Sequence, residues 1–264
     1  FYKWINGEKL GLPCGKCVKC LKRRSADWVF RLRQEEKVSS SAYFVTLTYE
    51  RCPQTPNKLL TLDKGDFQRF MKRLRKLNKS RLRYYAVGEY GEARGRPHYH
   101  IILFNLDDPK YIDQAWKENG KLIGVTDVGT VTRASIIYVT DYLNKRKKIP
   151  AFRRDDRIKE FSLMSKGMGA NYITDATIDW HLSGLKNYIV IEGGRKIAMP
   201  RYYQKKIFTE MELDEIRARV NFEQEKQRDK LELKYERKFG KKFDVFQAEE
   251  SHKRGRQETF DKDR

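Results

Sequence analysis

"LRYYAVGEYGEARGRPHYHIILFNL", residues 82–106, decides how this chain is read. Two runs dense in β-branched and aromatic residues, 82–90 and 97–106, flank a short link rich in Gly and Arg. Such runs form strands, and a short Gly-containing link between them makes an antiparallel hairpin. On a strand, residues two apart share a face. His98 and His100 therefore project side by side, while Tyr99 and Ile101 project the other way, into a helix-covered core. The chain has four histidines, so two on alternate positions of one apolar run call for a reason. Two neutral imidazoles at this spacing can share one divalent cation. Two such ligands alone make a weak site. Glu89 is the first candidate for a third, because hairpin pairing brings it across from the histidines, and Glu92 is the second. A two-His, one-carboxylate set with open positions fits Mn²⁺ or Mg²⁺, with Zn²⁺ as an alternative, and leaves room for a phosphate oxygen. The bland reading is that these histidines are ordinary hydrogen-bonded strand residues.

Working outward, "AYFVTLTYE" (42–50) reads as a strand. "LDKGDFQRFMKRLRKLNK" (62–79) sets Phe67, Phe70, Met71, Leu74 and Leu77 on one helical face, with a basic remainder placed to contact phosphates. "DDPKYIDQAWKENG" (107–120) has helix punctuation: an acidic start, an early Pro and a final Gly. "LIGVTDVGTVT" (122–132) is a fourth strand, and "ASIIYVTDYLNKRKK" (134–148) a helix ended by Ile149-Pro150. The order β-α-β-β-α-β-α predicts an α+β fold, a ferredoxin-like split β-α-β arrangement with a central antiparallel sheet. The strands at 82–90 and 97–106 belong at or near its centre. Residues 41–148 make this core. Residues 1–40 form an N-terminal Cys-containing helical element, with Leu21, Trp28, Val29 and Leu32 as its apolar stripe. Residues 149–208 extend the core and include a hairpin over 184–203, and 209–264 form a charged helical tail.

Of 264 residues, 57 are Lys or Arg and 36 are Asp or Glu, a net charge of +21. Such an excess points to a polyanionic partner, and the Tyr, Phe and Trp content suits stacking on nucleic acid bases better than lipid headgroups. No apolar run is long enough to span a bilayer, which argues against a membrane role. No secretory signal opens the sequence, so a reducing cytoplasm is the expected compartment. Cys14, Cys17 and Cys20 are too crowded for a disulfide framework. They offer three thiolates, one short of a tetrahedral structural Zn²⁺ site, with Cys52 as the candidate fourth.

"YVTDYLNK" (138–145) puts Tyr138, Tyr142 and Lys145 on one helical stripe, beside a docking stripe of Ile136, Val139 and Leu143. A phenol with pKa near 10 is a poor nucleophile until a nearby cation stabilises the phenolate. Lys145, one turn from Tyr142, supplies such a charge. Taken alone, the stripe reads equally as packing.

Together these segments resemble the HUH endonucleases, and in particular the rolling-circle replication initiation proteins of microvirus (gokushovirus-type) single-stranded DNA phages. "FVTLTY" (44–49) resembles their first motif, "GRPHYHIILF" (95–104) the metal-binding second and "YVTDYLNK" the tyrosine third. "GEYG" (88–91) resembles the stretch that supplies the carboxylate ligand, and "PCGKCVKCLKRRSADWVFRLRQE" (13–35) adds to the match. Asp141 departs from the family, which often has Lys there. The resemblance implies that His98, His100 and Glu89 hold the metal, and that Tyr142 attacks the scissile phosphate first, leaving a 5′-phosphotyrosine and a free 3′-hydroxyl. Tyr138 is then the second nucleophile. It also implies a single-stranded DNA origin as substrate, a host helicase and polymerase as partners, and the cytoplasm of a bacterial host as the setting. Thr46, Thr48, Arg94, Arg96, Arg146 and Lys147 are the candidate DNA contacts, with Lys148 beside them. A non-catalytic single-stranded nucleic-acid binder and an HUH transposase are the competing expectations.

Overall fold

The computed structural model describes residues 2–5, 8–11, 14, 15, 17–142, 149–239, 255 and 259. In chain order its elements are β1 (Tyr2–Ile5), β2 (Glu8–Gly11), α1 (Val18–Val38), β3 (Ala42–Leu47), α2 (Lys64–Leu77), β4 (Arg83–Tyr90), β5 (Pro97–Phe104), α3 (Tyr111–Ala115), β6 (Lys117–Glu118), β7 (Lys121–Leu122), β8 (Thr126–Thr130), α4 (Arg133–Tyr142), β9 (Phe161–Met164), α5 (Asp175–Leu182), β10 (Tyr188–Val190), β11 (Lys196–Ala198), α6 (Arg201–Ile207) and α7 (Glu210–Phe239). They fall into two compact units, residues 24–171 and residues 1–23 with 172–264.

The unit 24–171 is built on a five-stranded sheet of order β8-β3-β5-β4-β9, every neighbouring pair antiparallel. β5 is the middle strand and β4 lies beside it, as the hairpin reading expects. One face carries Val45, Leu47, Tyr99, Ile101 and Leu103, buried against Phe67, Phe70, Met71 and Leu74 of α2 and Ile112 and Ala115 of α3. Each such side chain stabilises the fold by roughly 1.5–3 kcal/mol when fully buried. α2 starts where the Asp63 carboxylate accepts from the Gly65 N–H at 2.6 Å, and its last turn is closed by Asn78 N–H donating to the Leu74 carbonyl. The opposite face carries Tyr85, Val87, Ile102 and Phe104, covered by Leu32 of α1, Ile136 and Val139 of α4, and Met168. The split β-α-β pattern by itself leaves that second face open. Leu143, the third member of the expected docking stripe, lies outside the described residues.

Two elements differ from expectation. The helix expected over 107–120 stops after five residues, at Ala115. Asn119 and Gly120 both take positive φ, 50° and 78°, so they form the turn of the β6–β7 hairpin instead of ending a helix. β9 adds a fifth strand from a segment whose four residues, FSLM, announce no periodicity.

In the unit of residues 1–23 and 172–264, β1 pairs with β2, and β10 pairs with β11 inside the hairpin expected over 184–203. α7 realises the helix expected from residue 209 onward. His181 of α5 is fully buried, its Nδ1–H donating to the Lys186 carbonyl at 2.7 Å and its Nε2 facing the Tyr172 hydroxyl at 2.9 Å.

The Glu35 carboxylate in α1 pairs with Arg83 of β4 and accepts the Gly169 N–H at 2.7 Å, at a side-chain exposure of only 7%. Glu35→Ala leaves the Arg83 guanidinium without its partner and is expected to cost about 3 kcal/mol, read as a lowered urea midpoint. Burial holds the His181 pKa below its ordinary value. The unfolded chain therefore takes up the proton first, so stability is full above about pH 6.5 and falls as the pH drops toward the folded pKa. Thermal melts between pH 7 and pH 5 should show this loss, and His181→Gln should flatten it.

Candidate metal centre

The β4–β5 register sets Glu89 directly opposite His98 and Val87 opposite His100. Directly opposed residues share a face, so all three polar groups emerge on the side covered by α1 and α4. The Glu89 Oε1 atom lies 2.6 Å from His98 Nε2 and 3.1 Å from His100 Nε2. One ligand atom from each of Glu89, His98 and His100 falls within 4.8 Å of the others. The carboxylate is fully buried, and its Oε2 atom has no hydrogen-bond partner among the described residues.

The far sides of both rings are fixed. His98 Nδ1 meets the Arg96 carbonyl at 3.0 Å, and a carbonyl only accepts, so Nδ1 carries the hydrogen. A neutral His98 then turns a bare Nε2 lone pair toward a carboxylate oxygen at 2.6 Å. That approach is repulsive unless a proton or a metal cation stands between them. His100 Nδ1 is held at 3.0 Å by the Thr46 hydroxyl, from the directly opposed position on β3. Partners of this kind orient metal-ligating imidazoles. A buried carboxylate, two imidazoles aimed at it and an orphaned second oxygen fit a divalent cation. The oxygen-bearing set and open geometry suit Mn²⁺ or Mg²⁺.

Around this cluster, Phe44 stacks on His100 with ring centroids 5.4 Å apart and planes at 10°. Tyr138 meets the same imidazole edge-on, at 5.2 Å and 81°, and is 44% exposed. α4 thus delivers a half-exposed phenol to the edge of the cluster, anchored by Ile136 and Val139. Tyr142 is the last residue of α4; its side chain, with Lys145, Arg146, Lys147 and Lys148, lies outside the described residues.

The remaining candidates divide. Glu92, in the turn 91–96, is not part of the three-ligand group. Arg94 is exposed in that turn. Arg96 donates to the Tyr49 carbonyl at 2.6 Å, tying the turn to the segment after β3. Thr48 donates to the Val125 carbonyl at 2.8 Å. The basic helix α2 packs on the other face of the sheet from the imidazoles, so its cations do not line this side; Arg73 is drawn onto the Ala115 carbonyl at 2.7 Å. Cys14, Cys17 and Cys20 form a second group with ligand atoms within 4.8 Å. Cys52 is not in it and packs against the core beneath the sheet. Its short apolar side chain is better satisfied there than as a fourth thiolate. Phe44 escaped the sequence reading, although it lies two residues before Thr46 and so shares its face; only the β3–β5 register reveals what it touches.

The family model described as replication-associated protein ORF2 matches residues 42–147, which runs from β3 through α4. Among known proteins, replication-associated protein ORF2 of Spiroplasma virus 4 is 30% identical over 217 residues, 74% of this chain and 67% of its own. Replication-associated protein ORF4 of Chlamydia phage 1 is 26% identical, covering 77% of this chain and 55% of its own. Replication-associated protein VP4 of Bdellovibrio phage phiMH2K is 28% identical, covering 73% and 66%. No solved structure gives a significant match. The likeness to the Spiroplasma virus protein extends well beyond the stretch that carries β3, the β4–β5 hairpin and α4, and on that ground this chain belongs to the phage replication-associated proteins, the rolling-circle initiator family that its motifs resemble.

Proposed function

We propose that this chain nicks one DNA strand at a rolling-circle origin by transesterification and later rejoins it. The observation that supports this most is the meeting of Glu89, His98 and His100 at one point, with the Tyr138 ring against His100. In this reading, Glu89, His98 and His100 hold Mn²⁺ or Mg²⁺. A divalent cation bound there supplies Lewis-acid polarisation of the scissile phosphate. Tyr142 presents its phenolic oxygen to the phosphorus. The new P–O bond to tyrosine forms as the P–O3′ bond breaks, and the phenolic proton ends on the released 3′-hydroxyl. The strand stays joined through a 5′-phosphotyrosine, so the energy of the phosphodiester is retained for rejoining. Lys145, three residues beyond Tyr142, offsets phenolate charge. Tyr138, four residues back on the same helix face, makes the second attack once the origin has been regenerated.

Arg94, Arg146 and Lys147 contact the DNA backbone in this reading. Thr46 orients His100, and Thr48 and Arg96 brace the strand ends beside it. The substrate is single-stranded or melted origin DNA, because base pairing would bar access to a centre set between sheet and helices. The sequence carries no nucleotide-binding loop, so unwinding and synthesis fall to a host helicase and polymerase in the bacterial cytoplasm. No helix among the described residues is long and apolar enough to cross a membrane.

Labelled origin single strand incubated with the protein and Mn²⁺ should give a covalent adduct on a denaturing gel, and EDTA should abolish it. Tyr142→Phe is expected to lose the adduct of the first cleavage, Tyr138→Phe to keep it but fail to release circles, and the double variant to bind DNA without any adduct. Undiminished nicking by the double variant would reject the scheme in favour of another nucleophile, and binding without nicking by the wild type would favour a non-catalytic binder. Thr46→Val removes the partner of His100 Nδ1 and is expected to weaken Mn²⁺ binding about 10- to 100-fold, measured by calorimetry.

A further inference from the structure

The thiols of Cys14, Cys17 and Cys20 stand apart from the nicking chemistry. Their ligand atoms lie within 4.8 Å of one another, and the sulfurs of Cys14 and Cys20 are 3.9 Å apart. Sulfurs bound to one tetrahedral zinc ion at about 2.3 Å each stand about 3.8 Å apart. In an iron–sulfur cluster each thiolate binds a different iron, which spreads the sulfurs wider. The observed spacing is that of ligands to a single ion.

The backbone supports charged sulfur here. Gly15 takes φ 71°, a left-handed conformation that lets the chain reverse between the first two cysteines. The Cys17 N–H then donates to the Cys14 sulfur at 3.2 Å. A sulfur that accepts a backbone N–H is favoured as the thiolate. α1 begins at Val18, and Leu21 N–H closes onto the Cys17 carbonyl at 3.0 Å, so Cys17 and Cys20 sit at the positive end of a long helix. Lys16, Lys19 and Lys22 alternate with the cysteines along the sequence. Three thiolates on a divalent cation carry a net negative charge, which these lysines offset.

We propose that Cys14, Cys17 and Cys20 bind one zinc ion, and that this ion closes the first turn of α1. The site is complete without Cys52, its fourth position falling to water. Its role is structural: the ion ties the turn before α1 to the helix itself, fixing where the helix starts. The proposal stands independently of the nicking reading.

Full-length protein expressed with zinc and purified without metal-affinity resin should carry one zinc per chain by mass spectrometry of the metal. The His98→Ala/His100→Ala double variant and Cys52→Ser should both retain it, and Cys14→Ser/Cys20→Ser should lose it. Since that last variant can fail to fold, reduced wild-type protein stripped of metal is also titrated with Co²⁺. A near-ultraviolet thiolate-to-cobalt band should appear, survive in Cys52→Ser and vanish on adding one equivalent of zinc. Zinc absent from the wild type, zinc kept by Cys14→Ser/Cys20→Ser, a Co²⁺ band missing from the wild type or lost with Cys52→Ser, or iron with broad visible absorbance would each overturn the proposal.

Discussion

Across the β4–β5 pair, Glu89 faces His98 and Val87 faces His100, and this register is enforced from the other side of the sheet. Tyr99, Ile101 and Leu103 alternate with the imidazoles and are fully buried beneath α2. A slip of one residue would move every one of them to the opposite face. At roughly 1.5–3 kcal/mol for each large apolar side chain, the core resists that slip strongly. Hydrogen bonding adds to it: the Tyr99 hydroxyl donates to the Asp63 carbonyl at 2.6 Å and lies 2.7 Å from the Tyr49 hydroxyl, which donates to Asp66. Burial pushes both phenols well above their ordinary pKa, so they remain protonated donors. The apolar alternation on one side thus places the polar alternation on the other.

The sheet divides its labour by face. The side under α2 and α3 is a continuous aromatic and aliphatic core that includes Trp116, whose indole donates to the Thr48 carbonyl at 2.9 Å. The other side mixes apolar anchors at one end, Ile102, Phe104, Ile136 and Val139, with the buried carboxylate and imidazoles at the other. α4 belongs to both regions. Its anchors fix the helix, and helical spacing carries Tyr138 to His100. Tyr49 and Tyr99 are sealed beneath α2, whereas Tyr138 is half-exposed against an imidazole. Environment, and not residue type, separates a structural phenol from a candidate nucleophile.

Much of this was legible in the residues. Period-two alternation gave β4 and β5 and put both histidines on one face, and hairpin pairing brought Glu89 to them. The apolar face of 62–79 gave α2. Other features depend on contacts that no local pattern encodes. β9 is four residues long and is a strand only by virtue of pairing with β4. The Asn119-Gly120 dipeptide is a hairpin signal that was outweighed by helix punctuation around it. The basic stripe of α2 is visible in the sequence, but the face of the sheet it decorates follows from the docking of Phe67 and Phe70. Thr46 and Arg96 read as DNA contacts and prove to be braces for His100 and for the turn, because the strand neighbours that claim their hydrogen bonds lie more than forty residues away in the chain.

The turn at 91–96 is locked at both ends: Tyr90 pairs with Pro97, Gly91 N–H donates to the Arg96 carbonyl at 2.9 Å, and the Arg96 side chain grips the backbone beyond β3. The exposed residues between, Glu92, Ala93 and Arg94, hold none of the ligand positions. Insertions or exchanges there leave the strand pairing, and with it the three ligands, where they are. The hairpin tip is accordingly a cassette: natural variation can rewrite what it touches while the chemistry beneath it is inherited unchanged.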